Sequence, residues 1–311
     1  NNILEKTALE VKKNIISTYS SVLLIEENVL FLKKNKGNLT NNLEEVSALF
    51  RNGFEEEESV EQLRLTLSSV ETQLRYAQNT KRITLNMLKL LMGFPTEAPL
   101  ELIDTLDTLT TEGLFEQEFE TDLSLANNVD IKIATNNLRS ESLLYKYEKS
   151  KSLPRLAAFI NGNYTGNSQT FSFTDSDQKW FGAALFGLNL QVPLFSSFKR
   201  RAQSQKAKIA VDQAETILEE TQERINIEVQ AAINDYELAV ETYFSNKENL
   251  ALATRIEQKN QSKYFEGMAS TFELRQAQLQ LYSAQNNYIS SIQNVIQKKL
   301  NLETLLNTSD Q

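Results

Sequence analysis

The stretch YFEGMASTFELRQAQLQLYSAQNNYISSIQNVIQKKLNLETLLN, residues 264–307, decides the fold because residues 50–93 repeat its pattern. Each copy opens with an aromatic-x-x-Gly turn, at Gly53 and at Gly267, and each closes with leucines at matching places. Between the turn and the close, a stride of seven residues carries mostly apolar side chains, which is typical of helices packed side by side. Two copies of a long helical hairpin predict pseudo-symmetric assembly and not a single catalytic core.

The composition excludes several classes of function. The 311 residues include only 9 Gly and 4 Pro, which is too few turns for a compact α/β enzyme. His and Cys are absent, which removes imidazole bases, thiol nucleophiles and the usual zinc ligands. The formal net charge of -9 argues against a nucleic-acid partner. No phosphate-binding glycine loop or nucleophile elbow is present, so we predict that the chain is not an enzyme and has no cofactor, catalytic or metal site.

Helical periodicity covers most of the chain. One helix is predicted from residue 1 to about 51, and a second from a cap at Ser59 to Met92. A third is predicted over about 123–151. The longest begins near Lys199 and runs to about Phe265, on the order of 100 Å at 1.5 Å per residue, and a last helix covers about 271–307. No apolar run of about 18 residues that could cross a bilayer as a helix is apparent.

Strand alternation replaces the helical period after Pro154. Every second residue from Trp180 to Leu194 is apolar or glycine, and the stretch 156–164 alternates in the same sense. The polar loop Gly166–Asp177 separates the two runs, so they predict a β-hairpin with one apolar face. Strands of about ten residues suit a tilted crossing of a hydrocarbon layer. Unpaired strand edges are costly in lipid, so the hairpin would have to close into a barrel with other copies; packing on a helical core is the alternative. The residues expected to face lipid are Trp180, Phe186, Leu188, Leu190 and Val192.

These motifs together resemble the TolC family of outer-membrane efflux channels. The resemblance rests on Leu153-Pro154 before the β-hairpin, Val192-Pro193-Leu194-Phe195 after it, and the turn pattern Tyr264-x-x-Gly267-x-x-Ser270-x-x-Glu273. It covers essentially the whole chain and is more specific in the second half. In the first half Phe50-x-x-Gly53 is kept, but four glutamates fill the turn.

The resemblance implies a fold and a function. The fold is mainly α with one β-hairpin: long antiparallel helical hairpins form an α-barrel, and the strands contribute to a trimeric transmembrane β-barrel. The function implied is that of an exit duct for a tripartite efflux or type I secretion system, a passive conduit opened at its periplasmic helix tips. The implied partners are two further copies of the chain, a periplasmic adaptor protein, an inner-membrane transporter and outer-membrane lipid. The implied location is the outer membrane of a Gram-negative bacterium, with a large periplasmic part.

Five segments are predicted along the chain. They are a first periplasmic helical hairpin (1–93), a mixed equatorial segment (94–122), a helix returning to the membrane (123–153), the β-hairpin of the barrel (154–196) and a second periplasmic helical hairpin (197–311). The first helix is about fifteen residues shorter than its counterpart in the second hairpin, and no strand pair precedes it. We therefore predict that the sequence is a fragment.

The hairpin tips hold the candidate working residues. Acidic side chains repeated around a threefold axis would form carboxylate rings that favour cations and can bind divalent ions; stabilisation of a helix start is the alternative interpretation. The gate candidates at the pore tip are Glu273, Glu55, Glu56, Glu57 and Glu58. The candidates for contact with an adaptor are Gly53, Phe54, Gly267, Met268 and Phe272. For the glycines the alternative is a structural role in the turn, and for the apolar side chains it is packing at the turn.

A different class of protein also has to be considered. A periplasmic coiled-coil adaptor or scaffold would place the β-hairpin in a soluble β-domain. Such an adaptor should carry strands on both sides of one helical hairpin, whereas here two helical hairpins flank one strand pair. The order of the elements therefore favours the channel.

Overall fold

A computed structural model of the chain describes residues 2–104, 106, 127–171 and 173–307. Its elements are α1 (Asn2–Arg51), α2 (Glu57–Leu91), α3 (Val129–Ser150), β1 (Arg155–Gly166), β2 (Trp180–Gln191), α4 (Lys199–Phe265) and α5 (Thr271–Leu306). The chain divides into two compact units, Asn1–Lys132 with Gln222–Gln311, and Ile133–Thr221, with the boundaries inside α3 and α4. The fold class predicted from the sequence, mainly α with one β-hairpin, is confirmed.

Helices α1 and α2 form the first antiparallel hairpin. Gly53 adopts a positive φ of 77° after α1. Its N–H donates to the Phe50 carbonyl, and the N–H of Phe54 donates to the Leu49 carbonyl, which is the hydrogen-bond pair of a Schellman turn. The prediction that Ser59 caps α2 is wrong. The cap residue is Glu56, with no side-chain cap hydrogen bond, because the helix starts within the glutamate run.

The turn between α4 and α5 has the same geometry. Gly267 has a φ of 72°, its N–H donates to the Tyr264 carbonyl, and the N–H of Met268 donates to the Lys263 carbonyl. A residue with a Cβ pays a steric cost at this positive φ, and glycine does not. Both glycines therefore have a structural role in their turns. The sequence repeat thus corresponds to a repeated turn.

An apolar core holds the first hairpin together and extends to the tip of the second. Leu39 and Val46 of α1 are fully buried and belong to one cluster with α2 residues such as Leu63. Tyr264 and Leu274, from the two sides of the second turn, belong to the same cluster. The two helical hairpins therefore pack against each other near their turns.

Helix α1 contains an apolar segment that the sequence analysis did not identify. One 18-residue window in Asn2–Arg51 has a mean hydropathy of 1.4, which makes the helix a candidate for crossing a membrane by length and composition. The expectation that no such helix exists is therefore wrong. A helix in a protein core and a signal sequence pass the same test, and 28% of this window is buried.

The β-hairpin belongs to the second unit and has the predicted register. Its strands pair antiparallel, from Arg155 opposite Gln191 to Gly166 opposite Trp180. Ile160 lies opposite Phe186, so the two apolar alternations share one face, as the sequence predicted. The third helix starts at Val129, later than the expected residue 123. Most of the expected mixed segment 94–122 lies outside the described residues.

Candidate functional site at the helix tips and on the β-hairpin

A hydrogen bond joins the tips of the two helical hairpins. The hydroxyl of Thr271, the first residue of α5, donates to Glu55 Oε1 at 2.7 Å, between residues 216 apart in sequence. Thr271 is buried and Glu55 is half-buried. Among the gate candidates, Glu55 is therefore in contact with the other hairpin. Sequence reasoning missed Thr271, because nothing local indicates which residue it meets.

The rest of the glutamate run is exposed. Glu56, Glu57 and Glu58 precede or begin α2, and their side chains are open to solvent. Glu58 accepts a hydrogen bond from Gln62 Nε2 at 2.6 Å on its own helix. Three carboxylates at a helix start are stabilised by the helix dipole and also concentrate negative charge beside the turn. The run thus places three exposed glutamates beside the turn.

Glu273 caps its own helix. The Ser270 N–H donates to Glu273 Oε2 at 2.8 Å, and the Glu273 N–H donates to Ser270 Oγ at 3.3 Å. These reciprocal bonds form a capping box. The backbone hydrogen bond from Ser270 is the main cause that lowers the pKa of the Glu273 carboxyl, because it favours the charged form. A role for Glu273 in gating stays a proposal beside this structural role.

Two substitutions separate the charge of Glu273 from its capping role. We expect Glu273→Ala to lower the free energy of unfolding by about 1 kcal/mol, because the Ser270 N–H loses its side-chain acceptor. Glu273→Gln keeps an acceptor at the same position and should retain most of that stability. Thermal unfolding of the two variants checks the expectation. Equal loss in both would show that the carboxylate charge, not the capping geometry, stabilises the helix start.

Apolar side chains project at both tips. Phe54 is 78% exposed and Met268 is 66% exposed, at equivalent positions just after the two turn glycines. Phe272 is also exposed, and its ring lies 5.5 Å from the Arg275 guanidinium carbon. Packing within the chain therefore does not account for these side chains. Exposed apolar groups at a tip are available to a partner.

The two faces of the β-hairpin differ in chemistry. Four of the five residues expected to face lipid, Trp180, Phe186, Leu188 and Leu190, are paired in β2 and exposed on its apolar face; Val192 lies just beyond the strand and is exposed too. The opposite face mixes Asn161, Asn163 and Asn189 with apolar residues such as Phe159 and Leu185. A hairpin with one wholly apolar face and a second face of mixed polarity fits a wall between lipid and water.

Glycine also has a defined place on the opposite face. A Cβ added at Gly187 would lie 2.5 Å from the Phe159 ring, its cross-strand partner. That separation is below any real contact distance, so a side chain at residue 187 would require the exposed Phe159 ring to move. Alternation in the sequence predicted that Gly187 lies on this face, but it did not predict the contact with Phe159.

No metal centre is apparent at these tips. Within residues 2–104, 106, 127–171 and 173–307, no group of three or more His, Cys, Asp or Glu side chains could hold a metal ion. The carboxylates of one chain are therefore spread along the turn and the start of α2.

Solved structures share this fold at low sequence identity. CusC, from a study of its folding and transmembrane channel formation, aligns with a TM-score of 0.83 at 17% identity, over 98% of this chain and 70% of its own. VceC, an outer membrane protein of Vibrio cholerae, aligns with a TM-score of 0.74 at 17% identity, over 96% of this chain and 70% of its own. The CmeC outer membrane channel of Campylobacter jejuni aligns with a TM-score of 0.76 at 17% identity, over 99% of this chain and 66% of its own.

Comparison of sequences adds the family. No curated protein matches the chain. Residues 121–308 match the family described as outer membrane efflux protein. The matched span contains the β-hairpin with its apolar face, the long helix α4, the Gly267 turn and the capped helix α5. The chain is therefore a member of the outer membrane efflux protein family, a family of channels located in the outer membrane and not of enzymes.

Proposed function

We propose that the chain is the exit duct of a tripartite efflux or type I secretion system and that the duct opens at its periplasmic helix tips. The observation that carries the proposal is the Glu55–Thr271 hydrogen bond, which links one helical hairpin to the other at the tips. The family is one of outer-membrane channels, and this contact supports a closure between the two hairpins of one chain.

The β-hairpin requires other copies of the chain. Both strands have an outer edge without a partner among the described residues, and side chains on both faces are exposed. In a bilayer each unpaired backbone group costs several kcal/mol, so the sheet must continue into neighbouring chains. We propose a homotrimer in which residues 154–196 belong to the shared barrel and lipid covers the face that carries Phe186 and Leu188.

The helical segments form the periplasmic part in this proposal. Residues 1–93 and 197–311 supply two hairpins, and residues 123–153 return the chain to the membrane. Phe54, Met268 and Phe272 would contact a periplasmic adaptor, which in turn joins an inner-membrane transporter. Glu56, Glu57 and Glu58, repeated in three chains, would form a ring that favours cations at the entrance.

The closure is testable by removing either partner of the tip hydrogen bond. We expect Thr271→Val and Glu55→Ala each to raise the open probability of the purified full-length channel in planar bilayers by about tenfold, because a hydrogen bond to a charged group contributes roughly 1.5 kcal/mol. The double variant should open no more readily than the single variants, since all three lose the same bond.

The matched control is the same Thr→Val substitution at a position away from the tip contact. Thr254 donates to the Leu250 carbonyl of its own helix and, within the described part of the chain, makes no hydrogen bond to the other hairpin. Thr254→Val should therefore leave the open probability unchanged. Additive effects of Thr271→Val and Glu55→Ala would show that the two residues act separately and would overturn the proposed closure.

A further inference from the structure

The contact between the two helical hairpins contains an unusual number of buried polar side chains. On α5, Thr271, Gln278 and Gln285 are buried and lie seven residues apart, so they form one stripe on the helix. On α1, Asn35 and Asn42 are buried with the same spacing. By contrast, the buried α2 residues in the core cluster with α1 are apolar. Helix α1 thus buries apolar side chains against α2 and several polar side chains against the second hairpin.

The members of this stripe differ in how well they are paired. Asn35 Nδ2 donates to Gln285 Oε1 at 2.8 Å, so that layer is joined. In the next layer toward the tip, Asn42 accepts from Gln261 Nε2 at a long 3.5 Å. Among the described residues, no protein atom bonds Asn42 Nδ2 or either amide atom of Gln278, although both side chains are 1% exposed. Three buried polar atoms in one layer therefore lack protein partners.

The energetic consequence has a definite sign. A buried donor or acceptor without a partner loses its hydrogen bonds to water and gains none in return. Separation of the helices would let water reach these atoms, and exposing an amide carries no hydrophobic penalty. Glu257 of α4 is a charged residue in the same hairpin as Gln278. It is buried, with Lys34 as its nearby opposite charge, and burial raises the pKa of its carboxyl.

We infer that Asn42 and Gln278 weaken the closed contact between α1 and α5 and so set how readily the hairpin tips part. The layer lies two helical turns from Thr271, about 10 Å along α5. The Glu55–Thr271 bond closes the tip, and the unpartnered layer behind it limits how firmly the closed contact holds. This inference rests on the proposed opening at the tips.

The same substitution at two positions of one stripe tests the inference. Met has nearly the shape of Gln without its polar atoms, so Gln278→Met should raise the thermal unfolding temperature of the full-length protein and lower its open probability by about tenfold. Gln285→Met removes the acceptor of Asn35 and leaves that amide unpaired. It should lower the unfolding temperature and raise the open probability. Asn42→Leu serves as a second variant and should act in the direction of Gln278→Met.

The outcomes separate this inference from the proposed function. A wild-type protein that conducts, with Gln278→Met and Asn42→Leu both stabilised but opening as before, would overturn the inference and leave the channel intact. A lower unfolding temperature for both variants would also overturn it, because the amides would then be making bonds that the fold needs. A wild-type trimer that never conducts would remove the proposed function, and the inference with it.

Discussion

Phe186→Lys should prevent the protein from reaching the outer membrane in assembled form. Phe186 is near the middle of β2, opposite Ile160, on the face where all the alternating residues are apolar or glycine. In the proposed trimeric barrel that face meets hydrocarbon. A lysine on the lipid face near the middle of a bilayer costs about 2–4 kcal/mol in each copy of the chain. Membrane fractionation measures the loss. Folded trimer is detected because it resists denaturation by detergent in samples that are not heated.

The neighbouring residue provides the control. Leu185 lies opposite Asn161 on the other face of the hairpin, which faces water in the proposed barrel. Leu185→Lys introduces the same charge one residue away, and we expect near wild-type amounts of assembled protein. Equal tolerance of lysine at both positions would contradict the lipid-facing assignment and favour a hairpin that lies in solution.

Leu39→Ala should strongly destabilise the helical part. Leu39 is 0% exposed and lies in the cluster that includes α1, α2 and the tip of the second hairpin. Truncation of a fully buried leucine costs about 2.7–5 kcal/mol, because the lost burial is followed by a cavity that neighbouring side chains fill only in part. Denaturant unfolding of the purified protein in detergent, followed by circular dichroism, gives the change.

An exposed leucine on the same helix provides the comparison. Leu30 of α1 has more than half of its side chain open to solvent. Leu30→Ala should change the free energy of unfolding by no more than about 0.5 kcal/mol. A small cost for Leu39→Ala would mean that α1 and α2 do not pack as described. A large cost for Leu30→Ala would indicate that another copy of the chain covers this position.

Local patterns were sufficient for the elements and their turns. The aromatic-x-x-Gly motif predicted both hairpin turns, since only a glycine at positive φ completes the hydrogen-bond pair of such a turn at low cost. Alternation predicted the β-hairpin and its shared apolar face, because side chains of a strand point to opposite sides in turn. The cap of α2 was misplaced at Ser59, since propensity for a cap position is weak when charged residues can also begin a helix.

The candidate site was only partly accessible from the sequence. The position of the acidic residues at the turns was visible in the sequence, but their different contacts were not. Glu273 caps its helix, Glu55 accepts a hydrogen bond from Thr271, and the other glutamates are exposed. The seven-residue spacing of Thr271, Gln278 and Gln285 was visible in the sequence and could have drawn attention to the polar stripe. The burial of this stripe could not be predicted from the sequence, because polar residues at this spacing more often lie on a solvated face.

The sequence by itself determined the helices, the two glycine turns and the β-hairpin with its apolar face, since periodicity and turn chemistry depend on residues a few positions apart. Only the tertiary structure decided that Glu55 contacts Thr271 and that Gln278 is buried without a partner. Such facts depend on how helices distant in sequence pack together. Packing follows from the summed burial and pairing of many side chains, and no single stretch of sequence contains that sum.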